Sequence, residues 1–224
     1  MRDELGEMKE RIRNAMDYAV PDEHRLEAEE LLDIYQDDRF ALSLLQEFYT
    51  NLPDALEDWV KEIELIDRRQ GVFLFAVLTP AHRYMYLVSG EGMEFQGDAA
   101  DGFLADEVRD YFGYENTDAF KEHLAAVAGN VYEPIHLDAE VCPVCHAISG
   151  EYHALGCVVE VCPWCGGQLV HCSCRYEQLG VDSIDSEEQL LELEALLEER
   201  GRIAYSPEQR PGFLTEFAGD EPME

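Results

Sequence analysis

The stretch CPVCHAISGEYHALGCVVEVCPWCGGQLVHCSC, residues 142–174, holds all seven cysteines of the chain. Two Cys-Pro-x-Cys pairs, Cys142/Cys145 and Cys162/Cys165, are separated by 16 residues within it. Two residues between two thiolates let one tight turn point both sulfurs at one ion, and the distance between the pairs is typical of a four-cysteine zinc site. We therefore predict that Cys142, Cys145, Cys162 and Cys165 hold a first metal ion.

The remaining cysteines suggest a second site. His153 and Cys157 form one further pair, and Cys172 and Cys174 form another. Three cysteines and one histidine are a recognised zinc ligand set. Joining alternate pairs gives an interleaved module of two ions, whereas joining neighbouring pairs gives two sequential sites. Ribbon spacing favours the interleaved arrangement, so these four residues are the predicted second site, and we expect one or two Zn²⁺ ions per chain.

Several alternatives to this zinc assignment stay open. His146 and His171 stand beside cysteines and are alternative ligands. All-sulfur tetrahedral geometry does not separate zinc from iron, although no motif for an electron-transfer cofactor accompanies the cysteines. The two Cys-x-x-Cys pairs could instead be redox-active, and the second set could be a buried histidine with free thiols. Redox pairs are seldom doubled at this spacing, so we expect metal, and zinc before iron.

Part of this stretch resembles a known pattern. The residues Gly156-Cys157, Glu160, 162–169 (CPWCGGQL) and 172–174 (CSC) are similar to a zinc-ribbon-like segment of bacterial proteins that mostly have no assigned function. His153 stands where that pattern has a histidine before its Gly-Cys. The resemblance is limited to residues 140–175. It implies metal binding and supplies no catalytic residue.

Composition and charge exclude some functions. The chain has 224 residues, of which 46% are hydrophobic, and 16 basic against 49 acidic residues leave a net charge of −33. Because the acidic excess is spread along the whole chain, we expect no nucleic-acid binding and no attraction to anionic membranes. No apolar stretch reaches the length of a membrane span, and the N-terminus lacks signal-peptide features. We therefore expect a cytoplasmic protein whose partner is another protein.

The apolar pattern predicts an α+β fold. The continuous run Val72–Leu78 suits a strand buried on both faces, with a return strand at 83–88 and a third short strand at 93–95. Four helical stripes precede this hairpin. The fourth stripe, at the end of the helical region, consists of Leu56, Trp59, Val60, Ile63 and Ile66.

Helices are also expected after the hairpin. Two follow it directly, and Ser186 to Gln189 forms a capping box that begins a C-terminal helix with Leu190, Leu193 and Leu197. The predicted organisation is a mostly helical α+β domain at 1–137 with its hairpin at 71–96, a metal-binding ribbon at 138–178, and a C-terminal helix with an acidic tail at 179–224.

The sequence favours a non-enzymatic function. It contains no nucleophile elbow, phosphate-binding loop, dinucleotide fingerprint or His-Glu-x-x-His motif. Glu133 and His136 have the spacing of a metal pair, but Pro134 disfavours the helix that such a pair needs. We expect an adaptor or regulator with a structural zinc module. The alternatives are a redox sensor using Cys157, Cys172 and Cys174, an acidic mimic of DNA, and an enzyme without a known signature.

Overall fold

The computed structural model describes residues 2–52, 57–90, 92–135 and 141–209. The chain forms two compact units, Met1–Ala139 and Glu140–Glu224. The first boundary lies two residues beyond the predicted one, and the segment 179–224, predicted as a separate region, belongs to the second unit. No helix within the described ranges is long and apolar enough to cross a membrane.

A four-stranded antiparallel sheet organises the first unit. Its strands are in the order β1-β2-β3-β4, with β1 at Glu62–Arg69, β2 at Val72–Leu78, β3 at Arg83–Val88 and β4 at Met93–Asp98. The helices before the sheet are α1 (Arg2–Ala19), α2 (Arg25–Ile34) and α3 (Arg39–Asn51), with a 3₁₀ turn at Asp22–His24. After it come a 3₁₀ turn at Ala99–Asp101 and the helices α4 (Asp106–Phe112) and α5 (Thr117–Ala126).

The central strand β2 is covered on both faces. Residues 73–77 have no solvent exposure. Phe73 points to one face, where its ring lies 4.6 Å from that of Phe40 in α3. Leu74 points to the opposite face and packs in a cluster with Phe120 and Leu124 of α5. The alternation of strand side chains between two apolar layers explains why this strand has no polar position. The prediction of a doubly buried strand is confirmed.

The predicted fourth helix is wrong, because its second half is strand β1. Ile63 pairs with Val77, and the register shifts between Leu65 and Asp67, so that Ile66 lies at a bulge. Ile63 and Ile66 are both buried, although β1 is an edge strand. Two buried isoleucines three residues apart imitate a helical stripe. Trp59 and Val60 precede the strand in an irregular segment, and Leu56 lies outside the described residues.

The second unit contains the cysteines, and its described residues, 141–209, form the helices α6 (Cys174–Leu179) and α7 (Glu187–Arg200). The predicted capping box begins α7: Gln189 N–H donates to Ser186 Oγ at 3.3 Å, and Ser186 N–H donates to Gln189 Oε1 at 3.2 Å. Leu193 and Leu197 are buried in one apolar cluster with Leu169 and Cys162. Helix α7 therefore packs its apolar side against the second cysteine pair. The α+β fold class, with a C-terminal helix after the cysteine-rich segment, is confirmed.

Candidate metal centres

Each Cys-Pro-x-Cys pair forms a tight knuckle closed by backbone hydrogen bonds. In the first, Cys142 N–H donates to Ala147 O at 2.8 Å and His146 N–H donates to Cys142 O at 3.0 Å. A β-bridge between Val141 and Ile148 flanks this turn. The turn brings the side chains of Cys142 and Cys145 to the same side, as a shared ligand requires.

The second knuckle repeats this design 20 residues later. Cys162 N–H donates to Gly167 O at 2.7 Å, and Gly166 N–H donates to Cys162 O at 2.9 Å. Gly166 has a φ of 77°, the left-handed conformation expected from the sequence, and His146 occupies the corresponding position with a φ of 60°. A non-glycine residue seldom adopts this conformation. His146 is therefore part of the backbone turn of the first knuckle. It is not among the grouped ligands.

The first knuckle gathers a complete set of four ligands. The ligand atoms of Cys142, Cys145, His153 and Cys157 all lie within 4.8 Å of one another. Cys142 Sγ is 3.8 Å from Cys157 Sγ, and Cys145 Sγ is 3.4 Å from His153 Nδ1. Tetrahedral zinc with ordinary bond lengths separates two sulfurs by about 3.8 Å and a sulfur from a nitrogen by about 3.6 Å. The four side chains are therefore arranged as ligands of one tetrahedral metal ion; we call them site 1.

The second knuckle gathers the other four cysteines. The sulfurs of Cys162, Cys165, Cys172 and Cys174 also lie within 4.8 Å of one another. Cys174 is the first residue of α6, so this helix places the last ligand of the set. A group of four thiolates is a second recognised zinc ligand combination. We call this group site 2.

All eight predicted ligands are brought together, but their pairing differs from the interleaved prediction. Cys142 and Cys145 join His153 and Cys157, whereas Cys162 and Cys165 join Cys172 and Cys174. The sites are sequential because turns after each knuckle return the chain to it: Glu151 N–H donates to Ile148 O, and Cys172 N–H donates to Gln168 O. Short loops also cost less entropy to close than interleaved long ones.

The 20-residue repeat of Val-Cys-Pro-x-Cys, each copy followed by two further ligands, is the sequence signal for this pairing. His171 is in neither group.

The two sites differ in exposure. In site 1, Cys142 and His153 have no solvent exposure and Cys157 is also buried. In site 2, Cys162 is buried, Cys172 and Cys174 are half-buried, and Cys165 is exposed. Solvent and small oxidants therefore reach the sulfurs of site 2 more readily.

The close approach of the thiols shifts their acidity. Hydrogen bonds from the thiols of Cys145 and Cys157 lower the pKa of Cys142 to about 2, and the contact with Cys142 raises the pKa of Cys157. Burial lowers the pKa of His153, but its hydrogen bonds with Cys145 and Gln209 and the nearby charges of Cys145 and Glu160 together outweigh this and raise the pKa overall. Without a cation, four ligands this close cannot all release their protons. A bound metal ion would supply the missing positive charge.

In site 2, as in site 1, the pKa of one cysteine is lowered while those of its neighbours are raised. The backbone N–H of Gly167 is the main cause of a lowered pKa at Cys165. Contact with Cys165 raises the pKa of Cys174 to about 12, and burial raises the pKa of Cys162. The exposed Cys165 thus ionises more readily than Cys162 and Cys174.

Two residues for which the sequence predicts no role, Arg202 and Gln209, contact His153 of site 1. Arg202 Nε donates to Glu160 Oε1 at 2.7 Å, and its Nη2 donates to His153 O at 2.7 Å. The side chains of Arg202 and Glu160 are each 1% exposed. Gln209 Oε1 lies 3.0 Å from His153 Nε2. These partners stand 42 to 56 positions apart in the chain, so no local spacing marks them.

The described part of the Glu133–His136 pair offers no metal site. Ile135 is buried, and His136 lies outside the described residues. The two tetrads are the groups of three or more metal-ligand side chains that the described residues bring together.

Comparison with protein-family models, curated proteins and solved structures finds no match for this chain. The resemblance to zinc-ribbon-like segments is therefore one of motif. The two tetrads are the features from which a function can be inferred.

Proposed function

We propose that this chain is a zinc protein whose second unit binds two ions, one at site 1 and one at site 2. The observation that carries the proposal is the separation of the ligand atoms, which matches a tetrahedral ion in site 1 and allows one in site 2. Zinc is favoured over iron because site 1 includes a histidine beside three thiolates, a common structural zinc set.

The role that we propose for the zinc is structural. A catalytic zinc ion keeps one coordination position for water or substrate, whereas each tetrad here supplies four protein ligands. We propose that the protein acts without catalysis, as an adaptor or regulator through contacts with a partner protein. The net charge of −33 favours a protein partner over nucleic acid, since binding to phosphates requires clustered cations.

The metal content tests this proposal. Protein purified without chelators should contain two zinc ions per chain, because the eight ligands form two complete tetrads. Elemental analysis together with native mass spectrometry measures this content. A folded, metal-free second unit would contradict the proposal, and a content of one ion would restrict it to one site.

The exposure of Cys165 favours a second candidate function, a thiol sensor. The predicted sensor set of Cys157, Cys172 and Cys174 is divided between the two sites, and Cys157 is buried. We infer that site 2 would respond to oxidation as a unit, because its exposed Cys165 is accessible and ionises readily.

Peroxide should accordingly release one zinc equivalent from site 2 before any release from site 1. The measurement is zinc release against peroxide dose, with mass-spectrometric mapping of the oxidised cysteines. Reversal by a thiol reductant would support the sensor function. Release of both ions at the same dose, or first oxidation at Cys142, Cys145 or Cys157, would contradict the inferred order.

A further inference from the structure

The two ring nitrogens of His153 have different neighbours. Nδ1 faces the sulfurs of site 1 and lies 3.4 Å from Cys145 Sγ, whereas Nε2 lies 3.0 Å from Gln209 Oε1. A neutral histidine that ligates a metal through Nδ1 must carry its proton on Nε2. That proton then points at an amide oxygen. Gln209 therefore accepts the hydrogen bond that fixes this tautomer of His153.

The orientation of the Gln209 amide is determined by its other contacts. Its Nε2 donates to Ala204 O at 3.1 Å, and its Oε1 accepts from Ser206 N–H at 3.3 Å. An amide rotated by 180° would place its NH₂ group opposite the Ser206 N–H donor and its oxygen opposite the Ala204 carbonyl acceptor. The oxygen is thus held toward His153 before any metal binds.

Other residues of the segment 202–209 form hydrogen bonds and packing contacts with the same site. Arg202 holds the carbonyl of His153 and forms a buried ion pair with Glu160. Tyr205 N–H donates to Glu151 O at 2.7 Å, and Gly150 N–H donates to Tyr205 O at 2.9 Å. The Tyr205 ring lies 5.3 Å from the His153 ring and packs in one apolar cluster with Cys142 and Cys157.

We propose that the segment 202–209 is the outer shell of site 1 and that Gln209 is a positioning residue for its histidine ligand. This rests on the proposed zinc binding. Outer-shell partners of a metal-bound histidine fix its orientation and increase its basicity. Because coupling between two binding events is reciprocal, the metal in site 1 also strengthens the attachment of this segment. Site 1 therefore controls whether the segment 202–209 stays attached to the first knuckle.

The first test compares Gln209→Ala with two other variants. Gln209→Ala should weaken zinc binding at site 1 by about 10- to 100-fold and leave site 2 unchanged. Gln209→Glu keeps an acceptor oxygen and should restore the affinity. Gln178→Ala, at an exposed position in α6, is the matched control. Competition with a chromophoric chelator measures both sites, and long-range ¹⁵N NMR of His153 reports which ring nitrogen carries the proton.

Each outcome of this test decides the proposal. Unchanged affinity and tautomer in Gln209→Ala, with two zinc ions bound, overturn the outer-shell role while leaving the proposed function intact. Gln209→Ala could instead weaken zinc binding at both sites equally. In that case, failure of Gln209→Glu to restore the two affinities also overturns the outer-shell role. A wild-type chain that binds no zinc would instead contradict the proposed function itself.

Hydrogen exchange tests the reciprocal attachment. In wild-type protein loaded with two zinc ions, the amides of Gly150 and Tyr205 should be protected. In Cys157→Ala loaded with zinc at site 2, their protection should fall, whereas the amide of Leu197 in α7 should keep its protection. Equal protection of Gly150 and Tyr205 in the two proteins would overturn the coupling.

Discussion

Removal of zinc is expected to unfold the second unit and to leave the first unit folded. The apolar clusters of the second unit are built largely around the ligands themselves: one contains Cys142, Cys157 and Tyr205, and the other contains Cys162 and Leu197. Structural zinc contributes an apparent binding free energy of about 10–16 kcal/mol at neutral pH, and that energy stabilises the folded state directly. A unit with so little other core should not stay folded without it.

The measurement is hydrogen exchange read by mass spectrometry, before and after a strong zinc chelator. Amides of α7 and of both knuckles should lose protection, and re-addition of zinc should restore it. The first unit is the internal control, since it contains no cysteine and its strand β2 is fully buried. Persistent protection at Leu193 and Leu197 in metal-free protein would show that the unit folds without metal.

Acidic solution should also unfold the second unit, because protons compete with the metal for its ligands. Thiolate and neutral imidazole bind the metal, and protons compete for both. Lower pH therefore weakens zinc binding, and the stability that the metal supplies declines as the pH falls. This direction does not depend on the individual shifts in the metal-free tetrads.

The sequence was sufficient where one strong local signal determined the structure. The run Val72–Leu78 could only be a strand covered on both faces, since seven consecutive apolar residues are too few for a buried helix of ordinary length. The capping box at Ser186 and Gln189 marked the start of α7 because both of its hydrogen bonds are local. The identities of the eight candidate ligands were likewise predictable from residue type and short spacing.

Prediction failed where two local patterns looked alike or where contacts were distant. The bulge at Ile66 places two buried isoleucines at helical spacing, so the apolar pattern of strand β1 imitates that of a helix. The spacing between the two knuckles favours the interleaved partners for Cys142 and Cys145, whereas the 20-residue repeat of the knuckle indicates the sequential partners that the structure has. Gln209 was not predictable as a neighbour of His153, because its position depends on the return of the chain after α7.

The ligand pairing has a direct test, in which the sequential and interleaved arrangements predict opposite results. The variant Cys145→Ala/Cys157→Ala removes two ligands from site 1 and none from site 2. It should lose one zinc equivalent and keep the other at full affinity. The variant Cys145→Ala/Cys162→Ala removes one ligand from each site and should lose tight binding of both ions. Interleaved sites would reverse these two results.

Elemental analysis after gel filtration with a mild chelator counts the ions that remain, and cobalt substitution identifies their ligands. The Cys145→Ala/Cys157→Ala variant should retain a cobalt site with four thiolates. The complementary variant Cys162→Ala/Cys174→Ala should retain site 1, with three thiolates and His153, whose ligand-field absorption differs because nitrogen replaces one sulfur. These two spectra should add up to that of the wild-type protein, because in the sequential arrangement each site keeps its full ligand set when the other is destroyed.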